Sequence, residues 1–190
     1  FIKVMKRPLV KKAQENFERS ANDNFQRLLN NVAAVSERYS DAVVLRADTF
    51  LNSKDSEPVK YGDHPVFGRL HELLAYRKRF HAWLRKRFKR DLLLYAWTLE
   101  HGRESGLHHH YLIILKPPGN EDHVNIVNEI DDKWSTITLG LGWAYNGNEA
   151  RHKQRYKALG LVSLRDPNVI TGLQRIASYV TLAGVYVKLN

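Results

Sequence analysis

Leu99–Leu115 reads LEHGRESGLHHHYLIIL: a glutamate closes one apolar run and a histidine triplet opens the next. Both flanking runs are short and rich in aliphatic and aromatic residues, while Gly102–Gly106 is polar and turn-like, a pattern that predicts an antiparallel hairpin. The histidines then stand at a strand start. Alternation along a strand puts His108 and His110 on one face and His109 on the other. With Glu100 opposite His108, Thr98 falls opposite His110, and Glu100 joins the two histidines on one face. Two imidazoles and a carboxylate converging in this way form half a coordination shell for a divalent cation, with positions left for water and substrate oxygens. The competing reading of an isolated His-x-His is a solvated or hydrogen-bonded patch.

Composition sets the outer limits. With 190 residues, 43% of them hydrophobic, the chain can bury one sizeable core, and a single domain over 1–190 is expected. Its formal charge of +10 favours a polyanionic partner such as nucleic acid, or an anionic membrane surface. No run of about eighteen apolar residues occurs, so no spanning helix is expected; of the two polyanions nucleic acid is the expected partner, with no membrane. The absence of cysteine excludes disulfides and thiolate metal sites, leaves any metal to histidine and carboxylate, and fits a reducing cytoplasm.

Within 1–40 the reading is an arm followed by a helix. Phe1–Val10 is basic, contains Pro8 and lacks signal-peptide organisation. From Lys11 to Tyr39, Phe17, Ala21, Phe25, Leu28, Val32 and Val35 recur at helical spacing, with a break expected near Asn22–Asn24. Asp41–Leu51 reads as a strand with Val43, Leu45, Ala47, Thr49 and Leu51 on one face and Val44, Arg46, Asp48 and Phe50 on the other. Arg46 and Asp48 either look into a site or form a surface pair. Asn52–Pro65 carries the composition of a loop.

Phe67–Arg90 is a second helix, with Leu70, Leu73, Leu74, Phe80, Trp83, Leu84 and Phe88 as its apolar stripe. It holds nine positive charges against Glu72. Concentration of this degree favours phosphate contact over a merely solvated face, and Arg77, Lys78, Arg79, Arg85, Lys86, Lys89 and Arg90 are the candidates. Tyr76 and Trp83 fall near the stripe and are expected beneath that surface.

The strands Asp91–Glu100 and His108–Lys116 are apolar on both faces beyond the histidines, the pattern of a sheet covered by helices. A helix follows over Glu121–Trp134. Thr136–Tyr145 mixes β-branched and aromatic residues with glycines before a turn at Asn146–Gly147, and a short strand is expected near Gly160–Leu164. Arg151, His152, Lys153, Arg155 and Lys157 form a second basic cluster with Tyr156 as a candidate stacking partner, or else a mobile basic loop. In Pro167–Lys188 the stripe Val169, Leu173, Ile176, Val180 and Ala183 predicts a helix, with Tyr179 at its margin, where a tyrosine is most often a core-edge residue.

Together these pieces resemble the HUH endonuclease superfamily, in particular the rolling-circle replication initiators of filamentous phages and related integrated elements. The resemblance rests on the strand Ala42–Leu51, the apolar strand ending in Glu100, LHHHYLIIL with His108 and His110, and SYVTLAGVYVK with Tyr179. It spans roughly 42–188. It implies an α+β fold, a central antiparallel sheet with packed helices in the ferredoxin-like or RNA-recognition-like arrangement. It also implies a metal-dependent, site- and strand-specific nicking and rejoining of single-stranded DNA through a 5′-phosphotyrosine. Tyr179 is then the nucleophile, Glu100, His108 and His110 hold Mg²⁺ or Mn²⁺, and Arg46, Asp48 and Lys188 support the site. The implied partners are single-stranded or hairpin origin DNA and a host helicase and polymerase, in a bacterial cytoplasm.

One departure stands out. Many relatives carry lysine three residues after the tyrosine, where this chain has Leu182. Lys188 or another basic group substitutes, or Tyr186 is the nucleophile, or the activity is altered. On an unbroken helix Tyr179 and Tyr186 face a similar way, and Gly184 stands between them. The alternatives are an HUH transposase or relaxase using the same chemistry on other DNA ends, and a non-catalytic basic module that clamps nucleic-acid phosphates and whose histidines are incidental.

Overall fold

A computed structural model describes residues 7–51, 65–102, 106–117, 122–149, 157–182 and 186–187. In chain order these form α1 (Arg7–Arg38), β1 (Asp41–Leu51), α2 (Pro65–Phe88), β2 (Leu92–Gly102), β3 (Gly106–Leu115), α3 (His123–Ile137), β4 (Gly142–Asn146), β5 (Gly160–Ser163), α4 (Pro167–Leu182) and β6 (Tyr186–Val187). Every strand pairing among them is antiparallel. The histidine strand β3 is central, between β1 and β2, and the order β4-β1-β3-β2 over β1-α2-β2-β3-α3-β4 is compatible with a ferredoxin-like α+β fold. β6 extends the sheet beyond β2. The hairpin has the expected register, Glu100 opposite His108 and Thr98 opposite His110.

Both faces of the sheet are apolar, and helices cover both. On one, Leu73, Phe80 and Leu84 of α2 and Ile126, Ile130 and Trp134 of α3 pack on Val43, Leu45, Tyr111 and Ile113. On the other, Leu28 and Val32 of α1 and Val169, Leu173, Ala177 and Val180 of α4 pack on Ala42, Val44, Leu112 and Ile114. These are the three- and four-residue spacings of amphipathic helices, and burial of each stripe is the main force holding each helix on the sheet.

Several boundaries differ from the sequence reading. Residues 7–10 belong to α1 rather than to an arm, because Pro8 lies in the first turn, where the N–H it lacks has no intrahelical partner. The helix also continues through Asn22–Asn24, since Ala21, Asn24, Leu28 and Val32 form one buried line. α3 runs on to Ile137, and Leu139 (φ 57°) and Gly140 (φ 80°) then turn the chain, so β4 begins only at Gly142. That glycine is required: a Cβ there would stand 2.6 Å from both Phe50 O and Trp134 Nε1. The space lets the Trp134 indole donate to the Phe50 carbonyl at 2.8 Å. α4 starts at Pro167 with the Asp166 carboxylate accepting from Asn168 N, a capped start. It ends at Leu182, and Tyr186 lies off the helix, paired with Leu99 in β6.

The outer edge of β1 is shared by two strands, with β5 along Asp41–Val44 and β4 along Ala47–Leu51. The ladder would be broken between them. Asn148 fills the gap: its Oδ1 accepts from Arg46 N and its Nδ2 donates to Val44 O, each at 2.8 Å. The residue is fully buried. Asn148→Ala should therefore strand two buried backbone groups and cost about 2–4 kcal/mol, read as a lower urea midpoint at unchanged slope.

Candidate metal centre and nucleophile

Cross-strand partners share a face, so two rows of side chains cross the sheet at one end. The first is Glu100, His108, Phe50 and Trp143; the second is Thr98, His110, Asp48 and Tyr145. Both lie on the face that carries α1 and α4. His109 points the other way and is fully buried, its ring among Trp97, Tyr111 and Trp134 and its Nδ1 3.4 Å from Thr49 Oγ1.

In the cluster, His110 Nε2 lies 2.8 Å from Glu100 Oε2 and 3.1 Å from His108 Nε2, and His108 Nε2 lies 3.8 Å from the same carboxylate oxygen. Two donors bound to one cation at roughly 2.1 Å each stand roughly 3.0–3.4 Å apart for angles between a right angle and the tetrahedral one. Glu100, His108 and His110, with donor atoms all within 4.8 Å, thus form a cluster that can hold a metal ion.

Asp48 backs this cluster. Its Oδ1 lies 2.9 Å from His110 Nδ1, and its Oδ2 accepts from the Arg46 guanidinium at 2.9 Å. Burial alone would raise the Asp48 carboxyl, but the His110 ring and Arg46 outweigh it and hold the group below the usual carboxylate range. With the ring proton on Nδ1, toward this carboxylate, Nε2 is the donor left for a metal, the arrangement by which outer carboxylates orient ligating histidines. Mn²⁺ binding, followed by the loss of its free-ion paramagnetic resonance signal, should weaken about 10- to 100-fold in Asp48→Asn and fall further in His110→Ala.

Tyr179 reaches the cluster from α4. Its hydroxyl is 3.3 Å from His110 Nε2, its ring meets the His110 ring edge-on at 4.7 Å, and the Arg46 guanidinium lies over it at 5.0 Å from the ring centre. Burial and then the Glu100 carboxylate push the phenol above its usual value, with Arg46 opposing. The phenol is therefore protonated at neutral pH, and a nucleophilic role needs added positive charge.

The basic helix lies elsewhere. α2 packs on the opposite face of the sheet from the cluster. Lys78, Arg79, Lys86, Lys89 and Arg90 are exposed there, whereas Arg77 is half-buried with its guanidinium 4.1 Å over the Trp97 ring, and Arg85 donates to Tyr95 Oη at 3.0 Å. Tyr76 and Trp83 are partly buried against the core, as their place beside the stripe suggested. Arg151, Lys153, Arg155 and Lys188 lie outside the described residues, as does Tyr156.

Three aromatic residues were missed as parts of this surface: Phe50, Trp143 and Tyr145. The parity of β1, which puts Phe50 beside Arg46 and Asp48, was the available signal for the first. For the others it was the alternation of Trp143 and Tyr145 with the small Gly142 and Ala144. No described helix is long and apolar enough to cross a membrane. The chain matches no family model, no curated protein and no solved structure.

Proposed function

We propose that the chain is a metal-dependent, strand-specific DNA nicking and rejoining enzyme of HUH type that initiates rolling-circle replication, with Tyr179 as its nucleophile. The observation that carries this reading is the Tyr179 hydroxyl, 3.3 Å from His110 Nε2 at the margin of the Glu100, His108 and His110 cluster. Mg²⁺ or Mn²⁺ held by those three residues would draw charge from the scissile phosphate. Asp48 fixes the orientation of His110. Arg46 holds Asp48 and the Tyr179 ring together as a basic group beside the phenol, in place of the lysine that HUH initiators carry one helical turn further along, and the metal would add the positive charge the phenol needs.

In the reaction the phenol loses its proton and its oxygen bonds to phosphorus. The bond from phosphorus to the 3′ oxygen breaks, that oxygen takes up a proton, and the 5′ phosphate stays on the tyrosine. The phosphotyrosine bond conserves the energy of the phosphodiester, so a 3′-hydroxyl can reverse the step and rejoin the strand. The exposed cations of α2 and of the turn that follows it, Lys89 and Arg90, would anchor DNA phosphates away from the chemistry. An origin presented as single-stranded or hairpin DNA, a host helicase and polymerase, and a bacterial cytoplasm complete the reading.

The test uses single-stranded and hairpin oligonucleotides with Mn²⁺. A 3′-end label should migrate with the protein on a denaturing gel, and a 5′-end label should leave on a shorter free fragment. Absence of labelled protein on every substrate would favour the non-catalytic binding module. Activity confined to transposon-end or transfer-origin sequences would favour a transposase or relaxase.

A further inference from the structure

The row that holds Glu100 and His108 continues past the metal cluster. His108 stacks on Phe50 at 4.9 Å between ring centres and 17° between planes, and Phe50 stacks on Trp143 at 4.4 Å and 16°. Trp143 is 46% exposed, and Tyr145, in the neighbouring row opposite Asp48, is 43% exposed. Trp97 and Trp134, by contrast, are 3% and 0% exposed. β4 is the last strand in the sheet order, so Phe50 covers one face of the Trp143 indole and no described strand stands beyond the other.

Large rings left open on an ordered strand mark a binding surface. Two observations say what covers this one. The chain carries a net charge of +10, which suits a polyanion better than an apolar protein surface. The row also runs on directly from two candidate metal ligands, Glu100 and His108, so a strand with a phosphate at the cluster can lay its neighbouring nucleotides across these rings. Every base offers a flat π face, and stacking on aromatic side chains holds unpaired bases without regard to sequence.

We propose that Trp143 and Tyr145, with Phe50 bracing the indole, form a stacking platform for unpaired nucleotides flanking the scissile phosphate. The placement of that phosphate rests on the nicking reading above; the platform itself is tested by binding alone. In EDTA, a short single-stranded oligonucleotide should quench Trp143 fluorescence in the full chain. Trp143→Ala should lose most of the quenching and about tenfold in affinity, and Tyr145→Ala should lose several-fold. Abasic sites in the flanking nucleotides should weaken binding to the unaltered protein, and weaken binding to Trp143→Ala less.

Unquenched fluorescence, or equal affinity in the two variants at native melting temperature, overturns the platform. So does a change of oligomeric state in Trp143→Ala at unaltered DNA affinity. If Trp143→Ala does not fold, Tyr145→Ala and the abasic series on the unaltered protein decide. A platform that behaves as expected in a protein that forms no covalent adduct stands, and the nicking reading falls instead.

Discussion

Tyr179→Phe will abolish the denaturant-resistant protein–DNA band while leaving the fold at close to its original stability. The substitution removes one hydroxyl from a ring that is 42% exposed and whose hydroxyl contacts His110 at 3.3 Å. The packing of α4 rests on Val169, Leu173, Ala177 and Val180, which are untouched. A stability change within about 1 kcal/mol follows. Adduct formation has no substitute oxygen at that position and should fall by at least about 10³-fold. Tyr186→Phe is the control, because Tyr186 sits past the end of α4, paired with Leu99 in β6. The reverse result, an adduct in Tyr179→Phe and none in Tyr186→Phe, would move the assignment to Tyr186.

Acid will destabilise the protein from about pH 6.5 downward, before most of its carboxylates titrate. His81 is 6% exposed beneath α2, its Nε2 3.1 Å from Tyr111 Oη, and burial, with Arg77 and Arg85 adding to it, lowers its pKa to about 4. His109 is pushed well below the usual histidine value by complete burial. Each is neutral in the folded chain and takes up a proton in the unfolded chain below about pH 6.5, so the unfolded state binds more protons as pH falls. Stability is then complete above about pH 6.5 and declines down to the folded-state value. For His81 alone the loss between about pH 6.5 and its folded value near 4 is about 3 kcal/mol, and His109 adds in the same direction. Asp48, lowered from 3.8, loses its contribution only below this window. Urea midpoints measured from pH 7 to 4.5 should fall steeply, and less steeply in His81→Gln. A flat series would mean that these rings are hydrated in the folded state.

The hairpin was legible in the sequence because its determinants are local. Side chains alternate, the Gly102–Gly106 composition marks a turn, and together they predict Glu100 opposite His108, the pairing observed. The face of β1 that bears Arg46 and Asp48 was legible for the same reason. Tyr186 was not separable from the helix of Tyr179, because apolar residues continue past Leu182 and only pairing with a strand some ninety positions earlier takes the segment out of helical geometry. The shared edge of β1 was equally hidden: Asn148 earns its place through bonds to backbone 102 and 104 positions away. The charge of α2 was plain, but nothing local says which face of a sheet a helix covers, and so its separation from the histidine cluster emerges only in three dimensions.

Three successive histidines on an alternating strand also act as a reading frame. A one-residue shift of β3 against its neighbours would turn His108 and His110 toward Trp97 and Trp134 and bring His109 to the cluster, exchanging both faces of the strand at once. A change in the length of this strand by an odd step is therefore far costlier than a volume-conserving change of one of its apolar residues, whereas the connections between strands carry no such parity. A distant relative would be found by aligning the two-residue beat of β1, β2 and β3, even where few of its letters agree.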